Sequence, residues 1–323
     1  MTEPALTLPP LQYARFRFDV APTADFKLPD YAGSMLRGAF GHAFRRLSCM
    51  TRQPGCSDCP LINTCPYTQV YENSAGQLHT NRYVIEPPQS GYRWLKAGEI
   101  FTFHMVLFGY GLAQLPLILL AWQQALERGL GKHNTPARLI AVYCDNDDQP
   151  CYRPGDQIGH WQPSQAELPP VPEQVVLQLH TPVYLKHQGK PVRKNSLSAY
   201  PLLMALARRY HMLTTSNPSR TASEIDFKRL TALANTIKLD EQVHWQEWTR
   251  YSNRQQQTMQ LGGLIGQITL SGKLAPVWPL LIAGQWTHLG KHASFGLGQY
   301  HCHLPTQQPS PSHNQAIQEA TNE

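Results

Sequence analysis

Four cysteines fall within one short polar stretch, in the pattern Cys49-x6-Cys56-x2-Cys59-x5-Cys65. Thiolates at that density suit a tetrahedral zinc ion, and an iron–sulfur cluster also takes four cysteines. The alternative is a set of unrelated buried thiols. So short and polar a loop buries little apolar surface, and a structural zinc would supply folding energy that a core does not. Cys144, Cys151 and Cys302 stand apart and read as core or surface thiols.

A second group precedes the cysteines. In GSMLRGAFGHAFRRL (33–47), His42 shares a helical face with Gly38 and with Arg45 and Arg46, while Arg37 and Gly41 lie on the adjoining stripe. Each helical glycine costs about 1 kcal/mol relative to alanine, but it lets another backbone approach. A histidine among arginines beside bare helix surface can move a proton next to a phosphate; a solvated basic face with an idle histidine is the plainer alternative. The third group is the run Gly290-Lys291-His292-Ala293-Ser294-Phe295-Gly296-Leu297-Gly298-Gln299-Tyr300. Its backbone N–H groups, with Lys291, would cradle phosphate, unless the run is simply a turn packed on a helix. The fourth, Trp245-x2-Trp248-x-Arg250-Tyr251-Ser252-x-Arg254, interleaves aromatics with arginines. That mixture suits base stacking and phosphate contact, and also occurs in ordinary cores. No GxGxxG, Walker or HExxH pattern is present, so neither a nucleotide cofactor nor metal-dependent hydrolysis is expected.

The elements that must position these groups follow from periodicity. Residues 13–20 alternate as a half-buried strand, and 33–47 repeat apolar residues as an amphipathic helix that Ser34 would cap. An insertion at about 48–80 holds the cysteines. Strands are predicted at 82–86 and 100–108, a helix at 115–128 and a strand at 138–144, which is the ferredoxin-like order. Residues 145–172, rich in Asp, Pro and Gln, mark a boundary. The order then restarts, with a strand at 174–180, a helix at 196–213, a strand at 261–270, a helix at 277–288 and a strand at 298–304. Leu-Gly-Lys-His recurs at 130–133 and 289–292, at the same place in both series. The reading is α+β: two tandem ferredoxin-like (RRM-like) domains, with a four-cysteine insertion in the first. The domains span 1–150 and 173–305, joined by a linker at 151–172 and followed by a disordered tail at 306–323.

Only 15% of the 323 residues are charged, against roughly 25% in an average globular protein. This excludes an acidic disordered chain or a highly charged coiled coil. The net charge of +6 permits an anionic partner. No apolar run approaches the ~20 residues of a membrane span, and the N-terminus lacks a secretory pattern. A cytoplasmic protein without a membrane partner is expected, whose cysteines serve as ligands or core residues rather than in disulfides.

Four segments taken together resemble the CRISPR-associated endoribonucleases that process precursor CRISPR RNA, in the RAMP superfamily. They are LPDYAGSMLRGAFGHAFRRL with its cysteine cluster, TPVYLKHQGKPVR at 181–193, RYSNRQQQTMQLGGLIGQITLSG at 250–272, and SFGLGQY at 294–300. The resemblance implies two ferredoxin-like domains with CRISPR repeat RNA across the basic cleft between them. It implies metal-independent attack of a ribose 2′-hydroxyl, leaving 2′,3′-cyclic phosphate and 5′-hydroxyl ends. It points to His42 as the catalytic base or acid. On this reading Arg37, Arg45, Arg46, Arg250, Arg254, Lys291, His292, Gly296 and Gly298 bind RNA, and Cys49, Cys56, Cys59 and Cys65 hold a structural zinc. No cofactor is needed for the chemistry. CRISPR effector subunits are further expected partners, and a non-catalytic RNA-binding scaffold of such a complex is the alternative. Should His42 not act, Tyr31, His187, His292 or a lysine would be the base.

Overall fold

The computed structural model describes residues 4–72, 80–89, 91, 93–145, 147–164, 168–215, 225–252 and 257–305, with the side chains of 248–252 and 257–261 excepted. β1 (Tyr13–Pro22) buries Phe16, Phe18 and Val20 on one face and turns Arg15, Arg17 and Asp19 to the other, as its alternation dictates. β2 (Phe26–Leu28), α1 (Gly33–Ser48) and α2 (Pro66–Val70) follow, then β3 (Tyr83–Glu86), β4 (Arg93–Leu95) and β5 (Phe101–Phe108). α3 (Tyr110–Ala113), α4 (Leu115–Arg128) and β6 (Ala137–Cys144) complete the first half. Its four-stranded antiparallel sheet has the order β3-β5-β1-β6. One face is covered by α1 and α4, whose Phe40 and Trp122 rings stack 5.1 Å apart and meet Phe18 and Phe103.

The second half repeats this plan. β7 (Gln174–Val183) leads to the small hairpin of β8 (Lys186–His187) and β9 (Lys190–Pro191). α5 (Ala199–Thr215), α6 (Phe227–Ala234), β10 (Ile237–Ser252), β11 (Gln257–Gly272), α7 (Trp278–Thr287) and β12 (Tyr300–His303) follow. The sheet order is β10-β11-β7-β12, again antiparallel. Each sheet therefore follows the ferredoxin-like order, over its own hydrophobic core. No helix among the described residues is long and apolar enough to cross a membrane.

Three expectations change. The polar stretch before 261 is a sixteen-residue strand, β10, paired along its whole length with β11. The pairing of its backbone makes it a strand; few of its side chains enter the core, so alternation was weak. The linker does not stand free: Tyr152 bridges Val142, Ser164 bridges Tyr13, and Trp161 rests edge-on against Phe16. Conversely, the first residues cross to the other half, where Leu6 is buried in the second core and its N–H donates to Pro276 O.

Candidate functional site

Helix α1 turns Leu36, Phe40, Ala43 and Phe44 into the core and leaves His42 and Arg46 exposed. His42 makes no hydrogen bond or ion pair among the described residues. The two glycines of this helix have different uses. A side chain at Gly38 would meet nothing within 4 Å, so the surface one turn from His42 is bare. At Gly41 a Cβ would lie 2.1 Å from the Tyr71 ring, whose hydroxyl donates to Arg37 O. Gly41 is thus a packing residue. Ser34 does not cap the helix: the N-cap is Ala32, and the Ser34 hydroxyl is buried without a partner.

The arginines separate by role. Arg45, expected beside the phosphate, donates instead to the carbonyls of Gln53 and Pro54 and ties the cysteine loop to the end of α1. Both bonds come from one terminal nitrogen, Nη2, so the guanidinium is held at the loop. Arg37 is partly buried, its guanidinium 4.6 Å above the Tyr71 ring and 5.8 Å from that of Phe295. Arg46 remains exposed.

The glycine-rich turn also departs from expectation. Residues 293–300 are buried, and the turn wedges between the two halves. Tyr31 donates to Phe295 O, and a Cβ at Gly33 would lie 2.1 Å from that same carbonyl. Gly296 and Gly298 have φ of 93° and 78°, where L side chains are strained. Their N–H groups donate to Ala293 O and Pro182 O, so they present no free donors to phosphate. The Thr181 hydroxyl, which donates to Gly296 O and accepts from Gln299 N, secures the turn further. Within this run only Lys291 is fully exposed, and His292 is partly so.

The structure adds a basic surface beside that turn. Residues 182–200 hold Lys186, Lys190, Arg193 and Lys194 and no acid, and all four are exposed on and after the β8–β9 hairpin. Lys291 N donates to Tyr184 O, which fixes the hairpin's base to the turn. The Arg193 guanidinium lies 3.4 Å above the Trp245 ring, Tyr184 stands 6.1 Å from Trp245, and His292 lies 6.2 Å from Tyr184 and 5.2 Å from Phe295. Aromatic faces and cations thus form a row leading to α1. The signal in the sequence was a cluster of cations without acids, in a segment noted only for resemblance. Of the expected Trp–Arg cluster, Trp245 joins this row; the side chains of Trp248 and Arg250, and all of Arg254, lie outside the described residues.

Tyr31 does not fit the role of alternative base. Burial pushes its hydroxyl well above the ordinary tyrosine range, and that hydroxyl donates to Phe295 O. His187 is exposed near Tyr200. The four cysteines line one small cavity with Thr51, Leu61, Tyr67 and Thr68. Thr51 Oγ1 lies 3.5 Å from Cys59 Sγ and 4.0 Å from Cys49 Sγ, and Cys65 Sγ is 3.9 Å from Ser48 O. Among the described residues no three ligating groups are yet arranged about a common metal position.

Residues 10–165 match a family model described as an N-terminal domain. Residues 177–300 match that of the CRISPR-associated endoribonuclease Cas6. No curated protein matches the chain. Among solved structures, a Cas6 product complex is similar with a TM-score of 0.55 at 15% identity, over 90% of this chain and 99% of that one. Thermus thermophilus Cas6 gives 0.54 at 12% identity, over 91% and 99%. A partial Cas6-RT-Cas1–Cas2 complex gives 0.56 at 14%, over 94% of this chain and 48% of that one. Residues 177–300 are thus similar to the CRISPR-associated endoribonuclease Cas6 family, and nine tenths of the chain shares the fold of a solved Cas6 structure.

Proposed function

We propose that this chain binds CRISPR repeat RNA and cuts precursor CRISPR RNA without a metal in the chemistry. On this reading its two halves are tandem ferredoxin-like domains, the first carrying the cysteine insertion. The observation that carries the reading is His42: an exposed imidazole on α1 without a hydrogen bond or ion pair among the described residues, beside bare helix surface and Arg46, on a chain whose second half supplies a row of exposed cations. The solved Cas6 relatives include a product complex and a complex with a substrate mimic, in keeping with a nucleic-acid ligand here.

In the proposed step the ribose 2′-oxygen forms a bond to the adjacent phosphorus as the bond from phosphorus to the 5′-oxygen breaks. The 2′-hydroxyl proton goes to a base, and the leaving oxygen takes a proton from an acid. Imidazole suits either task near neutral pH. Exposed guanidinium and ammonium groups offset charge on the pentacoordinate phosphorus. Water takes no part, so the products are a 2′,3′-cyclic phosphate and a 5′-hydroxyl. Incubation with a labelled repeat RNA in excess EDTA tests this. Cutting with those ends is expected, and a 2′-deoxy substitution at the cut site abolishes it. Binding without cutting would leave a scaffold subunit.

The basic row makes a separate prediction. Replacing Lys186, Lys190, Arg193 and Lys194 together by alanine is expected to weaken RNA binding by roughly 10²-fold at moderate salt. It also flattens the salt dependence, because each lost phosphate contact removes about 0.7–0.9 from the slope of log K against log salt. Equal slopes for variant and wild type would place the RNA elsewhere.

We also propose that Cys49, Cys56, Cys59 and Cys65 hold one structural zinc ion. Their shared cavity and all-sulfur donor set suit it. Loaded, it would brace the loop that Arg45 ties to α1. Protein purified without added metal is expected to contain about one zinc per chain by elemental analysis. Absence of metal, or iron with visible charge-transfer absorption, would overturn the zinc assignment.

A further inference from the structure

One buried ionic group lies outside the chemistry above. Glu86, at the end of β3, is 4% exposed, and His288, at the C-terminal end of α7, is fully buried. His288 Nε2 lies 3.2 Å from Glu86 Oε1, and Arg15 Nε donates to Glu86 Oε2 at 2.7 Å. His288 Nδ1 lies 3.1 Å from Leu297 O, inside the glycine-rich turn. Burial would raise the Glu86 carboxyl, but the His288 hydrogen bond and the Arg15 guanidinium outweigh it and draw it down to about 2. Glu86 is therefore an acceptor only. Leu297 O is one too, so each ring nitrogen of His288 faces an acceptor. Besides Arg15, the ionisable groups near this pair are His104, cross-strand from Glu86, and His301 on β12. Burial first, then the Arg15 charge at His104 and the neighbouring His180 at His301, draw the two histidines down to about 4, so they are neutral near pH 7.

The pair joins three elements: β3 of the first half, α7 of the second, and the turn between them. The turn continues to α1, where Phe295 O accepts from Tyr31 and lies against Gly33. A Cβ at Gly296 would lie 2.6 Å from Ile85 O, one residue before Glu86. No slack separates the pair from the start of the helix that carries His42, nine residues and about 13 Å further along.

We infer that His288 and Glu86 are positioning residues, a hydrogen-bonded joint that sets α1, and with it His42, against RNA held by the basic row of the second half. The inference rests on the cleavage reading, since it concerns where His42 stands relative to the bound phosphate. Displacements of about 1 Å in such a geometry cost up to roughly 10²-fold in rate.

The test uses full-length protein with Glu86→Gln, His288→Gln and the double variant. Binding is measured with 2′-deoxy-blocked repeat RNA. Cleavage of native RNA is measured as a single-turnover rate at saturating protein. Each single variant is expected to cut about 10- to 10²-fold more slowly, with affinity within a few fold and a folded circular dichroism spectrum. The double variant is expected to be little worse than either single one, because both changes break one interaction. Undiminished cutting by the variants beside an active wild type overturns the joint alone. A wild type that binds but does not cut overturns the cleavage reading as well. If the variants fail to fold, the milder Glu86→Asp decides by the same two assays: slowed cutting with affinity kept supports the joint, and undiminished cutting overturns it.

Discussion

His42→Ala is expected to slow cleavage of a repeat RNA by roughly 10²–10⁴-fold, the usual contribution of a general acid or base, while RNA affinity changes only a few fold. The imidazole is exposed and has no hydrogen bond or ion pair among the described residues, so its removal should not harm the fold. The effect therefore belongs to the chemical step. The structure narrows what can assist it. Arg45 is engaged by Gln53 and Pro54, and the Tyr31 hydroxyl by Phe295. Charge at the phosphate is expected from Arg46, and from Lys291 and the basic row beside it. Single-turnover rates at saturating protein are the measurement, and cutting by His42→Ala at the wild-type rate would sink the assignment. The base would then be sought at His187, His292 or a lysine.

Gly298→Val is expected to destabilise the fold by at least about 3 kcal/mol and to lower the yield of soluble protein. From the sequence, this substitution is expected to weaken RNA binding in an otherwise folded protein. The geometry says otherwise. Gly298 has φ of 78° and a Cβ there would lie 1.9 Å from Leu289 O, a backbone atom that cannot swing aside. The same glycine accepts from Leu289 N and donates to Pro182 O, so relief of the clash would break both bonds. Gly38→Ala is the contrasting control: it meets nothing within 4 Å in the middle of α1 and should stabilise by about 1 kcal/mol. Denaturant unfolding of the two variants separates the cases. A Gly298→Val protein as stable as wild type would show that the turn is free to move.

What the sequence determined by itself was local. The alternation of Phe16 and Phe18 with Arg15 and Arg17 made β1, and the spacing of Leu36, Phe40, Ala43 and Phe44 made α1 with His42 outward, because period and polarity are properties of neighbouring residues. The repeated element order was legible for the same reason, and both sheets adopt the strand order it implies. β10 was not legible, since its partner β11, rather than burial of its own side chains, makes it a strand. The glycine run and the arginines show where local reading ends. Gly296 and Gly298 looked like phosphate donors, yet the turn's own Ala293 O takes the N–H of Gly296, and Pro182 O of β7 takes that of Gly298. Arg45 and Arg46 are adjacent in sequence, but the fold of the cysteine loop engages one and leaves the other exposed. The meeting of Glu86 with His288, 202 residues apart, left no trace in composition or spacing. Whether a polar group is free for a ligand depends on which partners the rest of the chain brings to it, and that is decided only when the two halves close on the turn between them.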